Sequence, residues 1–229
     1  FYRTYSMQVK ILVPESLSEI TLEQYQKFLK ISEENEDSLF LQQKMIEIFC
    51  NIELKQVLNI KYKSVSKITT HLNKLFEQKP KFISKFKRDD LTFGFIPKLD
   101  DMTFGEYVDL DTTLTNWETM EKAMGVLYRP ITLEKDNRYL IEAYQTYDKY
   151  DMKKMPLNVV LGSMVFFWNL SKELINLIPN YLREESLNLT LQQKQTLEEN
   201  GIGIQAYIDL VTQTLPSLMR LPNYPSINV

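Results

Sequence analysis

The hydrophobic pattern of the chain changes its period near residue 80, and this change is the strongest constraint on the fold. Before it, apolar residues recur every three or four positions, which is the spacing of amphipathic helices. The segment FISKFKRDDLTFGFIP then alternates on both sides of Arg88-Asp89-Asp90, as a β-hairpin with a short polar turn does. We therefore predict a mainly α (α+β) fold, in which a helical domain carries a small β-hairpin or short sheet.

The N-terminal part, residues 1–80, is predicted to be a lobe with one strand followed by helices. Met7–Val13 alternates as MQVKILV, which predicts a half-buried strand that Pro14 closes. Thr21 and Gln24 have the spacing of a capping box, so a helix should begin after Thr21. Further helices are predicted from about Ser38, over residues 53–58, and from Ser66 to a point before Pro80.

The C-terminal part, residues 81–229, is predicted to combine the hairpin with a second helical lobe. A helix should run from about Asn116 and end at or before Pro130, and RYLIEAY (138–144) should be a short strand or irregular segment. An apolar helix is predicted from Leu157 to Glu185, with a kink at Pro179. The two lobes, with a soft boundary near 79–82, should form one continuous domain.

An acidic stretch, DDMTFGEYVDLD, links the hairpin to the next helix. Thr103 and Glu106 have the spacing of a second capping box, and Phe104 and Tyr107 are candidates for packing against the hairpin. Glu106 and Asp109 lie three residues apart and would share a helical face, so they are weak candidates for metal ligands in a nuclease or phosphatase. We prefer the interpretation that these acids serve helix capping and no metal.

The residues available for catalysis are few. The single histidine, His71, is expected on a helix, exposed or half-buried, and the single cysteine, Cys50, is expected in the core. A pair formed by these two side chains across two helices is the one remaining nucleophile candidate. The glycine-rich phosphate-binding motifs and the G-x-S-x-G motif are absent from the sequence. We predict that the protein is not an enzyme and needs no cofactor.

Charge and hydropathy narrow the possible partners. The formal net charge is −3, whereas a nucleic-acid-binding module usually has a basic excess. The basic segment KPKFISKFKR (79–88) could bind nucleic acid, but a solvated edge strand protected by lysines produces the same pattern. No apolar run reaches the roughly 18 residues of a membrane span. The lone cysteine fits a reducing compartment, so we expect a cytoplasmic protein.

Two apolar segments are candidate partner-binding surfaces. One lies in VVLGSMVFFWNL and contains Phe166, Phe167 and Trp168. The alternative, which we prefer for this helix, is that it belongs to the core and binds no partner. The other, LPSLMRLPNYP near the C-terminus, could dock in a groove of a partner or of a second copy in a homo-oligomer. Its candidate residues are Leu215, Leu218, Met219 and Leu221.

Three blocks of the sequence carry a family resemblance: DDMTFGEYVDLD, AMGVLYRPI and MPLNVVLGSMVFFWNL. They are similar to phage-encoded morphogenesis proteins of the tail assembly chaperone-like group. The resemblance covers roughly residues 7–180, and it transfers no functional residues. It implies a non-enzymatic virion assembly protein in the host cytoplasm that binds the tape measure protein or another tail or connector component. The alternative is a structural subunit of the virion, such as a connector or cargo protein. Separately from the resemblance, the chain begins with Phe1 and Met7 opens a well-formed segment, so we expect Met7 to be a natural start and residues 1–6 to be an extension. The alternative is that a longer protein was trimmed.

Overall fold

The computed structural model describes residues 11–136, 138–167 and 169–170. The chain divides into two compact units after Gly162. Most described residues belong to the first unit, and residues 163–167 and 169–170 belong to the second. The predicted lobe boundary near 79–82 lies inside the first unit. The part of the predicted Leu157–Glu185 helix that follows residue 170 lies outside the described residues.

Helices dominate the described part of the chain, and a small antiparallel sheet accompanies them, as the period change predicts. The α-helices of the first unit include α1 (Leu22–Glu34), α2 (Ser38–Phe49), α3 (Leu54–Val57), α4 (Tyr62–Phe76), α5 (Phe104–Thr113) and α6 (Met120–Leu127). Residues 157–162 are also helical, as are the described residues of the second unit. Among the described helices, none combines the length and apolarity that a membrane span requires.

The sheet has four antiparallel strands in the order β1-β2-β3-β4. Their bounds are β1 (Lys85–Arg88), β2 (Leu91–Phe95), β3 (Tyr128–Lys135) and β4 (Arg138–Ile141). The predicted hairpin is thus confirmed as β1 and β2, joined by a turn in which Asp89 adopts a φ of 53°. Aspartate is among the residues that tolerate this left-handed conformation. Phe86 and Phe93 stack across the hairpin with ring centroids 5.2 Å apart.

The main apolar core lies between α1, α2 and α4, where these helices meet residues 157–162. Phe49 joins the rings of Phe28 and Phe76, at centroid distances of 5.3 and 5.1 Å. Leu157 and Leu161 belong to the same buried cluster. The chain entering α1 is fixed by backbone hydrogen bonds, since Leu22 N donates to Met155 O and Leu157 N donates to Ile20 O.

One predicted element differs from the structure. The strand expected over Met7–Val13 is wrong in its described part, because residues 11–13 form no strand. Ile11 and Val13 are partly buried against helical residues, while Leu12 between them is exposed. The alternation of buried and exposed side chains therefore arises from contact with helices and not from pairing with another strand. The helix predicted to end at or before Pro130 is confirmed, since α6 ends at Leu127 and Pro130 lies in β3.

Candidate protein-binding site

Helix α5 is positioned by the capping box that the sequence predicts. The Thr103 hydroxyl accepts a hydrogen bond from Glu106 N at 3.3 Å, and Glu106 Oε2 accepts one from Thr103 N at 2.7 Å. A 3-10 turn, Leu99–Asp101, precedes the helix. Helix α5 packs against α6. It therefore has one covered face and one face left to solvent.

The covered face of α5 holds a buried ion pair. Glu106 Oε1 lies 2.5 Å from Arg129 Nη1, and Arg129 is supplied by β3. The two residues are only 4% and 8% exposed. Burial acts to raise the pKa of Glu106, but the hydrogen bonds from Thr103 and the charge of Arg129 outweigh it and lower that pKa below its usual value of 4.5. Glu106 is therefore held as a carboxylate.

The second metal candidate, Asp109, also has a protein partner of its own. Tyr144 donates its phenolic hydrogen to Asp109 Oδ2 at 2.5 Å. Burial first, and then this hydrogen bond, raise the pKa of Tyr144 well above its usual range. The guanidinium of Arg129 lies 5.5 Å from the Tyr144 ring centroid, which joins the two pairs into one cluster. In the described part of the chain, no three histidine, cysteine or acidic side chains are grouped to hold a metal ion.

The outer face of α5 carries large apolar side chains in solvent. Phe104 is 82% exposed and Tyr107 is 58% exposed, so the expectation that they pack on the hairpin is wrong. The inward positions are taken by Glu106, Leu110 and Thr113, and Glu106 pairs there with Arg129. Val108 is exposed as well. We call Phe104, Tyr107 and Val108, with the exposed acids Asp100, Asp101 and Asp111, the α5 face.

Sequence reasoning missed the α5 face because helical spacing was ambiguous there. Phe104, Tyr107 and Val108 follow the i, i+3, i+4 pattern of a core-facing stripe. In the observed orientation, Glu106 is buried and the aromatic side chains are exposed. The contact that favours this orientation is the ion pair of Glu106 with a buried arginine 23 positions later in the chain. A single sequence does not indicate which of its arginines is buried.

Of the predicted partner-binding residues, Phe166 and Phe167 lie in helical residues of the second unit. Both are half-buried, and their rings meet edge-on at a centroid distance of 5.4 Å. The remaining candidates, Trp168, Leu215, Leu218, Met219 and Leu221, lie outside the described residues. Their role in binding stays a prediction.

The basic segment 79–88 contributes an edge strand. Its residues Lys85–Arg88 form β1, which lies at one end of the strand order. Lys85 Nζ pairs with Glu134 Oε1 at 2.6 Å, while Phe86 points into the protein and is buried. This arrangement agrees with the interpretation of a lysine-protected edge strand.

The structure gives Cys50 and His71 different interaction partners. Cys50 is buried beside Ile46 and Val57, as predicted for a core residue. His71 is exposed on α4, and its Nε2 donates to the carbonyl oxygen of Pro14 at 2.9 Å. In the described residues, no hydrogen bond links Cys50 to a base that could activate its thiol.

Cys50 should resist alkylation in the folded protein. Burial raises the pKa of its thiol to about 11, so only about one molecule in a thousand carries a thiolate at pH 8. We expect iodoacetamide to leave the native protein unmodified over a time in which the urea-unfolded chain reacts completely, as measured by intact mass. Comparable rates in the two states would contradict the burial of this thiol.

Comparison with known proteins identifies no relative of this chain. No protein-family model, no curated protein and no solved structure matches the chain.

Proposed function

We propose that the protein is a non-enzymatic phage virion assembly protein, similar to tail assembly chaperones, that binds another virion component in the host cytoplasm. The observation that carries the proposal is the α5 face. An exposed cluster of large apolar side chains is typical of a surface that binds another protein. Phe104 and Tyr107 also lie in the TFGEY block on which the sequence resemblance rests.

The polar groups beside the α5 face support binding in preference to catalysis. Glu106 is engaged by Arg129 and Thr103, and Asp109 is engaged by Tyr144. These contacts hold α5 against the rest of the first unit. A rigidly held helix presents its exposed side chains with little loss of conformational entropy on binding, which favours affinity.

The test is co-expression with the tape measure protein of the same phage. We expect wild-type protein to keep the tape measure protein in the supernatant and to co-elute with it. The double variant Phe104→Ser/Tyr107→Ser should bind about tenfold or more weakly, because a buried aromatic at an interface contributes about 1–2 kcal/mol or more. Its own stability should change little, since both side chains are exposed.

A matched control is available on the sheet. Leu133 and Leu140 pair across β3 and β4 and are 59% and 60% exposed, so Leu133→Ser/Leu140→Ser removes a similar apolar surface elsewhere. This control should retain binding. Equal binding by the two double variants would contradict the role of the α5 face.

Analysis of purified virions by mass spectrometry separates the proposal from the alternative of a structural subunit. A chaperone should be absent from mature particles. A connector or cargo protein should be present in stoichiometric amounts.

A further inference from the structure

A second set of exposed apolar side chains lies at the connection between α3 and α4. Leu58 is 64% exposed and Tyr62 is 77% exposed, four positions apart at this connection. The same stretch carries four exposed lysines. We call this set the basic corner; it consists of Leu58, Tyr62, Lys55, Lys61, Lys63 and Lys67.

The charge of the basic corner is not neutralised by its surroundings. Among the described residues, none of its four lysines forms an ion pair. Residues 53–67 contain one acid, Glu53, so their net charge is four minus one, or +3. Lys61 is the N-cap of α4, and the first turn of α4 has no acidic residue. The positive end of the helix dipole therefore adds to the charge of the lysines.

The α5 face has the opposite charge. Residues 100–111 contain five acids and no lysine or arginine. Glu106 and Asp109 are engaged on the inner side, which leaves Asp100, Asp101 and Asp111 exposed around the aromatics. Asp101 lies 3.4 Å from Lys98, and Asp100 and Asp111 have no ion pair in the described part of the chain. Each patch thus combines exposed apolar side chains with a net charge, which is negative on the α5 face and positive at the basic corner.

We propose that the α5 face binds the basic corner of a second copy of this chain, so that copies associate head to tail. This inference rests on the proposed function in taking the α5 face as a binding surface, and a second copy would compete with the virion component for that face. Phe104 and Tyr107 would meet Leu58 and Tyr62, and the flanking lysines would meet the flanking aspartates. Lysines placed beside exposed aromatic rings add a cation–π attraction.

Such an interface is heterologous, because its two halves are different surfaces of the same molecule. Helix α5 packs on α6, whereas α3 and α4 pack on α2. When one α5 face binds one basic corner, each copy in the pair keeps one unused patch, and further copies can be added to form a ring or a filament. Because the charged groups are exposed, the association should weaken as salt screens them.

Sedimentation velocity of the purified protein alone tests the proposal. In low salt, wild-type protein should form species larger than a dimer with increasing concentration, and about 1 M NaCl, where the Debye length is about 3 Å, should dissociate them. Two variants each remove one patch: Tyr107→Ser/Asp111→Lys on the α5 face and Tyr62→Ser/Lys63→Glu on the basic corner. Each alone should associate at least about tenfold more weakly than wild-type protein.

Mixing the two variants gives the decisive result. Each retains the patch that the other lacks, so an equimolar mixture should form a heterodimer and nothing larger. A wild-type monomer at every concentration, a mixture that stays monomeric, or a variant that dimerises by itself would overturn the proposal. Circular dichroism of both variants verifies that they are folded.

The outcome is independent of the test of the proposed function. A monomeric wild-type protein that still binds the tape measure protein would overturn head-to-tail association and leave the proposed function intact. Head-to-tail assembly without binding of any virion component would overturn the proposed function and leave head-to-tail association intact.

Discussion

The variant Arg129→Met should lose about 3–5 kcal/mol of its free energy of unfolding at pH 7, because it leaves the buried carboxylate of Glu106 without its cation. Methionine fills a similar volume with an apolar chain, so the loss of packing is small compared with the cost of an unpaired buried charge. Urea unfolding followed by circular dichroism measures the effect.

The double variant Glu106→Gln/Arg129→Met is the matched control for the charge. A glutamine can still accept the hydrogen bond from Thr103 N that Glu106 accepts now, and no buried charge is left. We expect it to recover most of the lost stability. A double variant as unstable as Arg129→Met would mean that packing of the arginine side chain matters more than its charge.

The pH dependence of Arg129→Met follows from the direction of the Glu106 shift. In wild-type protein the folded-state pKa of Glu106 lies below 4.5, so its contribution to stability is present above about pH 4.5 and is lost as the pH falls through the lowered pKa. Without Arg129, only the hydrogen bonds from Thr103 oppose the effect of burial, and the folded-state pKa must rise. The stability difference between the two proteins should therefore shrink as the pH is lowered toward 4.

The features that could be predicted from sequence are those that depend on neighbouring residues. Both capping boxes, Thr21 with Gln24 and Thr103 with Glu106, form as the spacing predicts. The hairpin turn at Asp89 also forms where the alternating pattern places it. In each case the interacting groups are within four residues in the chain, so the local sequence determines the geometry.

The features that could not be predicted depend on contacts between distant segments. Helix α5 has apolar residues on two sides, and the pair of Glu106 with Arg129 decides which side is buried. The strand predicted over Met7–Val13 has suitable alternation, but residues 11–13 pack on helices and have no strand beside them. Hydrophobic periodicity identifies the apolar faces of helices and strands, but it does not identify which distant segments cover those faces.

The orientation of α5 also explains why the candidate site was not predicted from the sequence. Phe104 and Tyr107 have the hydrophobicity of core residues, and exposure is what makes them a candidate binding surface. Likewise, Leu58 and Tyr62 have nothing in their spacing that distinguishes them from core residues. Exposure is a property of the folded chain, so the site could be identified only once the fold was known.

The close approach of α6 to the segment after β4 predicts a second large effect, that of Gly125→Ala. A methyl group at Gly125 would overlap the backbone carbonyl of Tyr147, which is backbone and does not rotate away as a side chain would. We expect a loss of about 1–3 kcal/mol, which exceeds the gain of about 1 kcal/mol that alanine brings to a helix. Because α6 leads directly into β3, the displacement should also disturb the pairing of Arg129 with Glu106.

Gly105→Ala is the matched control for this effect. Gly105 also lies in a helix, α5, but an added methyl group there meets no atom within 4 Å. The two substitutions change the unfolded chain in the same way, so the difference between them isolates the steric contact with Tyr147. Gly105→Ala should therefore be neutral or more stable by about 0.5–1 kcal/mol, and Gly125→Ala should unfold at clearly lower urea concentration. Equal midpoints for the two variants would mean that α6 and the Tyr147 backbone separate at little cost, and that the position of β3 does not depend on their contact.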